Sequence, residues 1–200
     1  MNWENHDGAV AVNCAVFFKV KEAFGGLSNM SNDYPLMVNG VKAGSSEALY
    51  QACRYPHRPE WQAEIMRANL PMIAKRIARK KEWIAETRSD WEEIRASVMR
   101  WALQVKLAQH PRRMRAIFEK SRRMPIVERS SNDSFWGAIL GEDGVLRGEN
   151  RLGILLMELR NMASPIRVIP PAIEEFKIGS DFVSEIRERS LAQQMMPFSA

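Results

Sequence analysis

Trp91, Ile94, Val98, Trp101 and Val105 recur at steps of three and four, the spacing that puts five apolar side chains on one face of an α-helix. A stripe this long constrains the whole chain, because a helix with one apolar face must bury it against other elements. Ser89-Asp90-Trp91-Glu92 marks its start, since Ser followed three residues later by Glu forms a capping box. Ser45 or Ser46 caps an earlier helix that carries Glu47 in its first turn. Pro59 opens a helix running to about Ala68, and Asn69 caps the next, with Ile73 and Ile77 on one face. Pro111 opens another with Met114, Ile117 and Phe118 inward, and a last one begins near Asn150 with Leu152, Leu155, Leu156 and Leu159 inward.

Strands fit between these helices. Ala15–Val20, Tyr34–Val38 and Pro125–Glu128 read as extended, and Asn39-Gly40 is a hairpin signal because both residues tolerate positive φ. The expected fold is α+β: a single helix-rich domain with a small antiparallel sheet. Residues 1–14 read as a flexible leader, 15–163 as the domain and 164–200 as an extension. There Pro165, Pro170 and Pro171 break regularity before a polar helix from about Ser180 to Gln194.

An apolar fraction of 46% allows a real core, yet no apolar run is long enough to cross a bilayer. The polar start Met1–Asp7 lacks the basic segment of a signal peptide, so a cytoplasmic protein without a membrane partner is expected. Cys14 and Cys53 then read as free thiols. His6, His57 and His110 are too scattered to ligate a metal, and no G-x-S-x-G elbow is present. The net charge of +5 gathers in two clusters, Lys75–Lys81 and Arg112–Arg123. Each is either the solvated face of a helix or an attraction for phosphorylated ligands and polyanions.

Ser130-Ser131-Asn132-Asp133-Ser134-Phe135-Trp136-Gly137 and Gly148-Glu149-Asn150-Arg151-Leu152-Gly153 carry the chemistry in combination. Asp133, in a polar turn, either holds ribose hydroxyls or water, or caps nearby backbone amides. Trp136, followed by Gly137, offers a face for a base; Trp91 either does the same or packs in the core. Asn150, Arg151 and the amides at a helix start suit a phosphate or ribose, and Gly153 marks a close backbone or ligand approach; the alternative is a helix cap, an exposed arginine and tight helix packing. Gly26, Ser28 and Asn29 form a loop whose amides suit phosphate or ribose. Glu47 is either a plain first-turn acid or an ionised carboxylate placed to stabilise growing positive charge.

These blocks, with Gly26-Leu27-Ser28-Asn29-Met30, Ser46-Glu47-Ala48-Leu49-Tyr50-Gln51-Ala52, Asp90-Trp91 and Val98–Leu103, resemble the NADAR (YbiA-like) family from about Phe17 to Arg160. The resemblance implies N-glycoside cleavage without a cofactor or metal. The substrate would be either ADP-ribosylated guanine, with ADP-ribosylated DNA or RNA as partner, or a phosphoribosylamino-pyrimidine of riboflavin synthesis. It assigns catalysis to Glu47, and Asp133, where it is not a turn residue, would support it by holding ribose or water. It places Ala48 where the family often has His. The alternative is a module that binds ADP-ribose or NAD without cleaving it. Oligomeric state is left open.

Overall fold

The computed structural model describes residues 9–38, 40–162 and Ile178, so the polar helix expected over Ser180–Gln194 lies outside the described residues. In chain order the elements are β1 (Ala9–Val10), β2 (Ala15–Phe17), β3 (Leu36–Val38), β4 (Val41–Ala43), α1 (Ser46–Ala52), α2 (Pro59–Arg67), α3 (Pro71–Ala78) and α4 (Lys81–Ile84). They continue with α5 (Trp91–Gln109), α6 (Pro111–Ser121), β5 (Ile126–Ser130), β6 (Ala138–Leu140), β7 (Val145–Arg147) and α7 (Arg151–Asn161). They fall into two compact units: 9–33 with 110–162, and 34–38 with 40–109.

The first unit is built on a sheet of order β1-β7-β6-β5-β2. The expected antiparallel sheet is met only by the β3–β4 hairpin; the strand expected from Ala15 joins this larger sheet instead, which is mixed, with β1–β7 and β6–β7 antiparallel and both β2 and β6 parallel to β5. Ala15 sits opposite Ile126 and Phe17 opposite Glu128, a pairing across more than half the chain. Residues 9–13 depart from the expected flexible leader. Ala9–Val10 adds a strand to β7, and a single 3-10 turn, Ala11–Asn13, follows it. A two-residue strand carries no periodic signal, and only its distant partner reveals it. Ala9, Cys14, Val127, Ala138 and Leu146 form a buried cluster over which Ile154 and Met157 of α7 pack. α7 buries Leu152, Leu155, Leu156 and Leu159, the four residues expected from their spacing, and α6 buries Met114 and Phe118.

The turn between β6 and β7 is closed by a Gly141 N–H bonded to the Val145 carbonyl at 2.9 Å, with Gly144 at φ +75° where an L side chain would be strained. The Arg147 guanidinium, and after it the Val145 amide, hold the exposed Asp143 carboxyl down to about 2. We expect its carboxyl resonance to titrate near pH 2 in the wild type, and Arg147→Ala to return it toward about 3.9. An unchanged midpoint in that variant would dissociate the shift from the pair.

The second unit is helical around α1, which is buried along its whole length and touches α2, α3, α5 and β4. The β3–β4 hairpin turns through Gly40 at φ +69°, and Leu36 faces Ala43. In α5 the predicted stripe is buried at Trp91, Val98, Trp101 and Val105, with Ile94 half-buried. Met99, Ala102, Leu103 and Lys106 are buried too, so the second half of the helix is enclosed on more than the predicted face. The fully buried Lys106 ammonium sits 4.3 Å over the Tyr34 ring. α3 starts one residue later than the Asn69 cap implies: Leu70 is the capping position and Pro71 the first helical residue. Trp61 and Trp83, uninformative in the sequence, stack at 4.3 Å with Tyr55 edge-on to both.

Candidate active site

Ser45 initiates α1 by accepting the Ala48 N–H at 3.1 Å, which places Glu47 in the first turn. Glu47 is only 3% exposed, so its charge sits in a medium where interactions with a reacting group are stronger than in water. One turn on, Gln51 Nε2 donates to Glu47 Oε1 at 2.8 Å. One turn further, Arg54 Nε donates to Gln51 Oε1 at 2.7 Å. The Arg54 guanidinium lies 4.4 Å from the centre of the Trp91 ring, and Trp91 packs on Tyr50 at 5.0 Å. Glu47 and Gln51 thus share one face of α1, and Arg54, in the turn just past its end, continues the line of buried polar side chains.

Burial pushes the Arg54 pKa below the usual range for a guanidinium. Burial first, and the Glu47 charge second, push the Tyr50 phenol well above its ordinary range, so Tyr50 stays protonated. Cys53, at the end of the same helix, is fully buried with its thiol pushed up by burial, which suits packing and not nucleophilic attack. Trp91, open in the sequence between pocket and core, is 2% exposed with one face under Arg54. Gln51 and Arg54 were not singled out from the sequence; their spacing of four and seven from Glu47 is the signal that finds them.

The other expected residues lie in the sheet unit. Asp133 Oδ1 accepts the amides of Phe135 at 3.1 Å and Trp136 at 2.9 Å, and Ser130 Oγ accepts the Asp133 amide at 3.0 Å. That oxygen therefore shapes the turn presenting Trp136, which is half-buried and edge-on to Phe135 at 5.0 Å. Gly137 is required where it stands, because a Cβ there would come 2.5 Å from the Glu128 carbonyl oxygen. The amides opening α7, offered to a phosphate by the sequence, are donated within the protein: Asn150 to Gly137, Arg151 to Phe135 and Leu152 to Trp136, at 3.0–3.1 Å. Arg151 keeps an exposed guanidinium paired with Glu149 at 3.0 Å.

Asn150 is fully buried and left-handed at φ 48°. Its Oδ1 accepts the Glu128 amide at 3.1 Å and its Nδ2 donates to the Ile126 carbonyl at 2.9 Å. Gly153 lets α7 approach this point, since a Cβ there would lie 2.2 Å from the Ile126 oxygen. In the Gly26 loop, Ser28 and Asn29 are buried, and Ser28 Oγ accepts the Met30 amide at 3.1 Å. The glycine with no room for a side chain is its neighbour Gly25, whose Cβ would meet the Val20 oxygen at 2.2 Å.

Residues 16–163 match the NADAR domain family. The chain belongs to the NADAR family. N-glycosidase YbiA of Escherichia coli (strain K12) is 35% identical over 144 residues, 72% of this chain and 84% of that protein. The riboflavin biosynthesis protein VVA0006 of Vibrio vulnificus (strain YJ016) is 33% identical over 147 residues, 72% of this chain but 37% of that longer protein. The NMR structure of the E. coli protein YbiA shares the NADAR fold seen here, with a TM-score of 0.60 at 34% identity over 72% of this chain and 81% of that one.

Proposed function

We propose that this NADAR protein is an N-glycoside hydrolase acting on a ribosylated base, with Glu47 as its main catalytic carboxylate. The observation that carries this reading is a buried Glu47 held from behind by Gln51, itself held by Arg54. A core helix has no structural use for an acid with so little exposure, and such a charge is costly unless it is used and supported. The names of the relatives, N-glycosidase YbiA among them, support the same reaction.

In that reaction the bond between the base nitrogen and the ribose anomeric carbon breaks, and its electrons leave with the base. Positive charge builds on the ribose ring, and the Glu47 carboxylate stabilises it. Water adds to the anomeric carbon and loses a proton toward the carboxylate, while the base gains one on departure. Tyr50, kept as a neutral phenol, is not a second base. The shared chemistry of the candidate substrates is an N-ribosyl bond with phosphate on the sugar.

The test is incubation of the purified full chain with ADP-ribosylated guanine DNA and with phosphoribosylamino-pyrimidines, following released base and ribose by mass spectrometry. Release from one of them supports the hydrolase and identifies its substrate; tight ADP-ribose binding with no release would replace it by a binding module. The polar line makes a further prediction. Gln51→Met keeps the volume but removes the donor to Glu47, so kcat should fall by about tenfold or more with KM little changed, because a hydrogen bond to a charged group contributes about 1.5–3 kcal/mol. An equal rise in KM at constant kcat would reassign Gln51 to substrate binding.

A further inference from the structure

We propose that the outward face of α6 docks the phosphate backbone of a nucleic acid. Between Pro111 and Arg123, six cations (Arg112, Arg113, Arg115, Lys120, Arg122 and Arg123) stand against one acid, Glu119. That excess of five equals the net charge of +5 of the whole chain, so the remaining sequence is balanced. All six are exposed. Arg113 is committed, with Nη1 donating to the Asp33 carbonyl at 2.6 Å. Among the described residues, no carboxylate pairs with Arg112, Arg115, Lys120, Arg122 or Arg123, whereas Lys80, Arg58, Arg88 and Arg147 elsewhere each have an acidic partner. A solvated helix with no other task ordinarily intersperses acids with its bases; this one carries Glu119 alone.

The chemistry of the face selects the polyanion. Met114 and Phe118, the apolar side of α6, are buried within the unit, so the helix has no apolar stripe left to sink into a membrane. Arg112, Arg115, Ala116, Glu119 and Lys120 lie on the opposite side at helical spacing, with no large apolar or aromatic residue among them, and Arg122 and Arg123 follow in the turn after the helix. Cations without stacking or amide groups position a phosphate backbone and do not read bases. Arg112 to Lys120 spans roughly 12 Å at 1.5 Å per residue, enough to meet successive phosphates, and Arg122 and Arg123 extend the cations past the helix end. Arginine dominates the face, and its planar fork is the better match to a phosphate.

This deepens the N-glycosidase reading, because it names a polymer as carrier of the ribosylated base, yet it is tested without turnover. Binding of the full chain to an unmodified labelled DNA duplex, and to its single strand, is followed by fluorescence anisotropy at salt from about 50 to 200 mM. The comparison is a variant with Arg112→Ala, Arg115→Ala, Lys120→Ala and Arg123→Ala. It spares Arg113, which holds Asp33, and Arg122, whose backbone has φ 44°. For wild type we expect a slope of log affinity against log salt of about −3 or steeper, since each phosphate met contributes about −0.9 on duplex and −0.7 on single strand. The variant should bind at least about tenfold more weakly with a slope flattened by two or more, and with unchanged circular dichroism and unchanged turnover of a free ribosylated nucleotide. Failure of wild type to bind either nucleic acid, an unaltered slope in the variant, or binding to phosphatidylserine vesicles alone would overturn the proposal. Salt-steep binding without any turnover would leave it standing and remove the hydrolase reading instead.

Discussion

Glu47→Gln should lower turnover by about 10²–10⁴-fold while leaving the protein folded. The substitution is isosteric, and the carbonyl of the new amide can still accept the hydrogen bond that Gln51 now gives to Glu47 at 2.8 Å. What disappears is the negative charge alone, at a site only 3% exposed. Glu47→Ala is the poorer experiment, because it strands the Gln51 amide inside the protein and opens a hole in a helix buried at every residue. The reading requires the loss to fall on kcat, since the charge acts on an ion-like state that exists only at the top of the barrier. Turnover within a few-fold of wild type, in a variant with unchanged thermal unfolding, would remove Glu47 from the chemistry.

Features set by neighbours along the chain were legible in the sequence. The leucines of α7 and the tryptophan stripe of α5 follow from spacing, and Pro59 and Pro111 mark helix starts because a proline costs nothing at that position. Glu47 was legible for the same reason, as an acid placed just inside a capped helix. The larger sheet was not. Its β1, β6 and β7 are two or three residues long, and β2 pairs with β5 across the intervening helices, so no local pattern specifies them. Trp91 shows a different limit. A helical stripe says that a residue faces inward, but only the structure shows that Arg54 and Tyr50 occupy its surroundings. Asp133 was open between ribose and turn, and one of its oxygens is taken by the turn.

Asn150 carries the largest expected effect on stability. β5 is paired with β2 along Ile126–Glu128, but with β6 only at Arg129 and Ser130. Ile126 and Glu128 would be left with a bare carbonyl and a bare amide, and the Asn150 side chain satisfies both, acting as the missing strand peptide. It does so from a left-handed backbone, which asparagine adopts more readily than other residues with a side chain. Asn150→Ala removes both bonds from a fully buried point and keeps the strained backbone. At about 1–3 kcal/mol for each stranded group, the expected loss is about 3–5 kcal/mol, a large share of the 5–15 kcal/mol typical of a domain. Asn150→Gly separates the two contributions, because glycine accepts the backbone freely: it should recover about 1 kcal/mol of that loss and no more. Urea unfolding of the full chain measures both. A shift of less than about 1 kcal/mol for Asn150→Ala would mean that water or a rearranged β6 replaces the side chain. Equal losses in the two variants would mean that the left-handed turn itself costs nothing. If the larger loss appears, Asn150 is a structural lock between the first turn of α7 and β5.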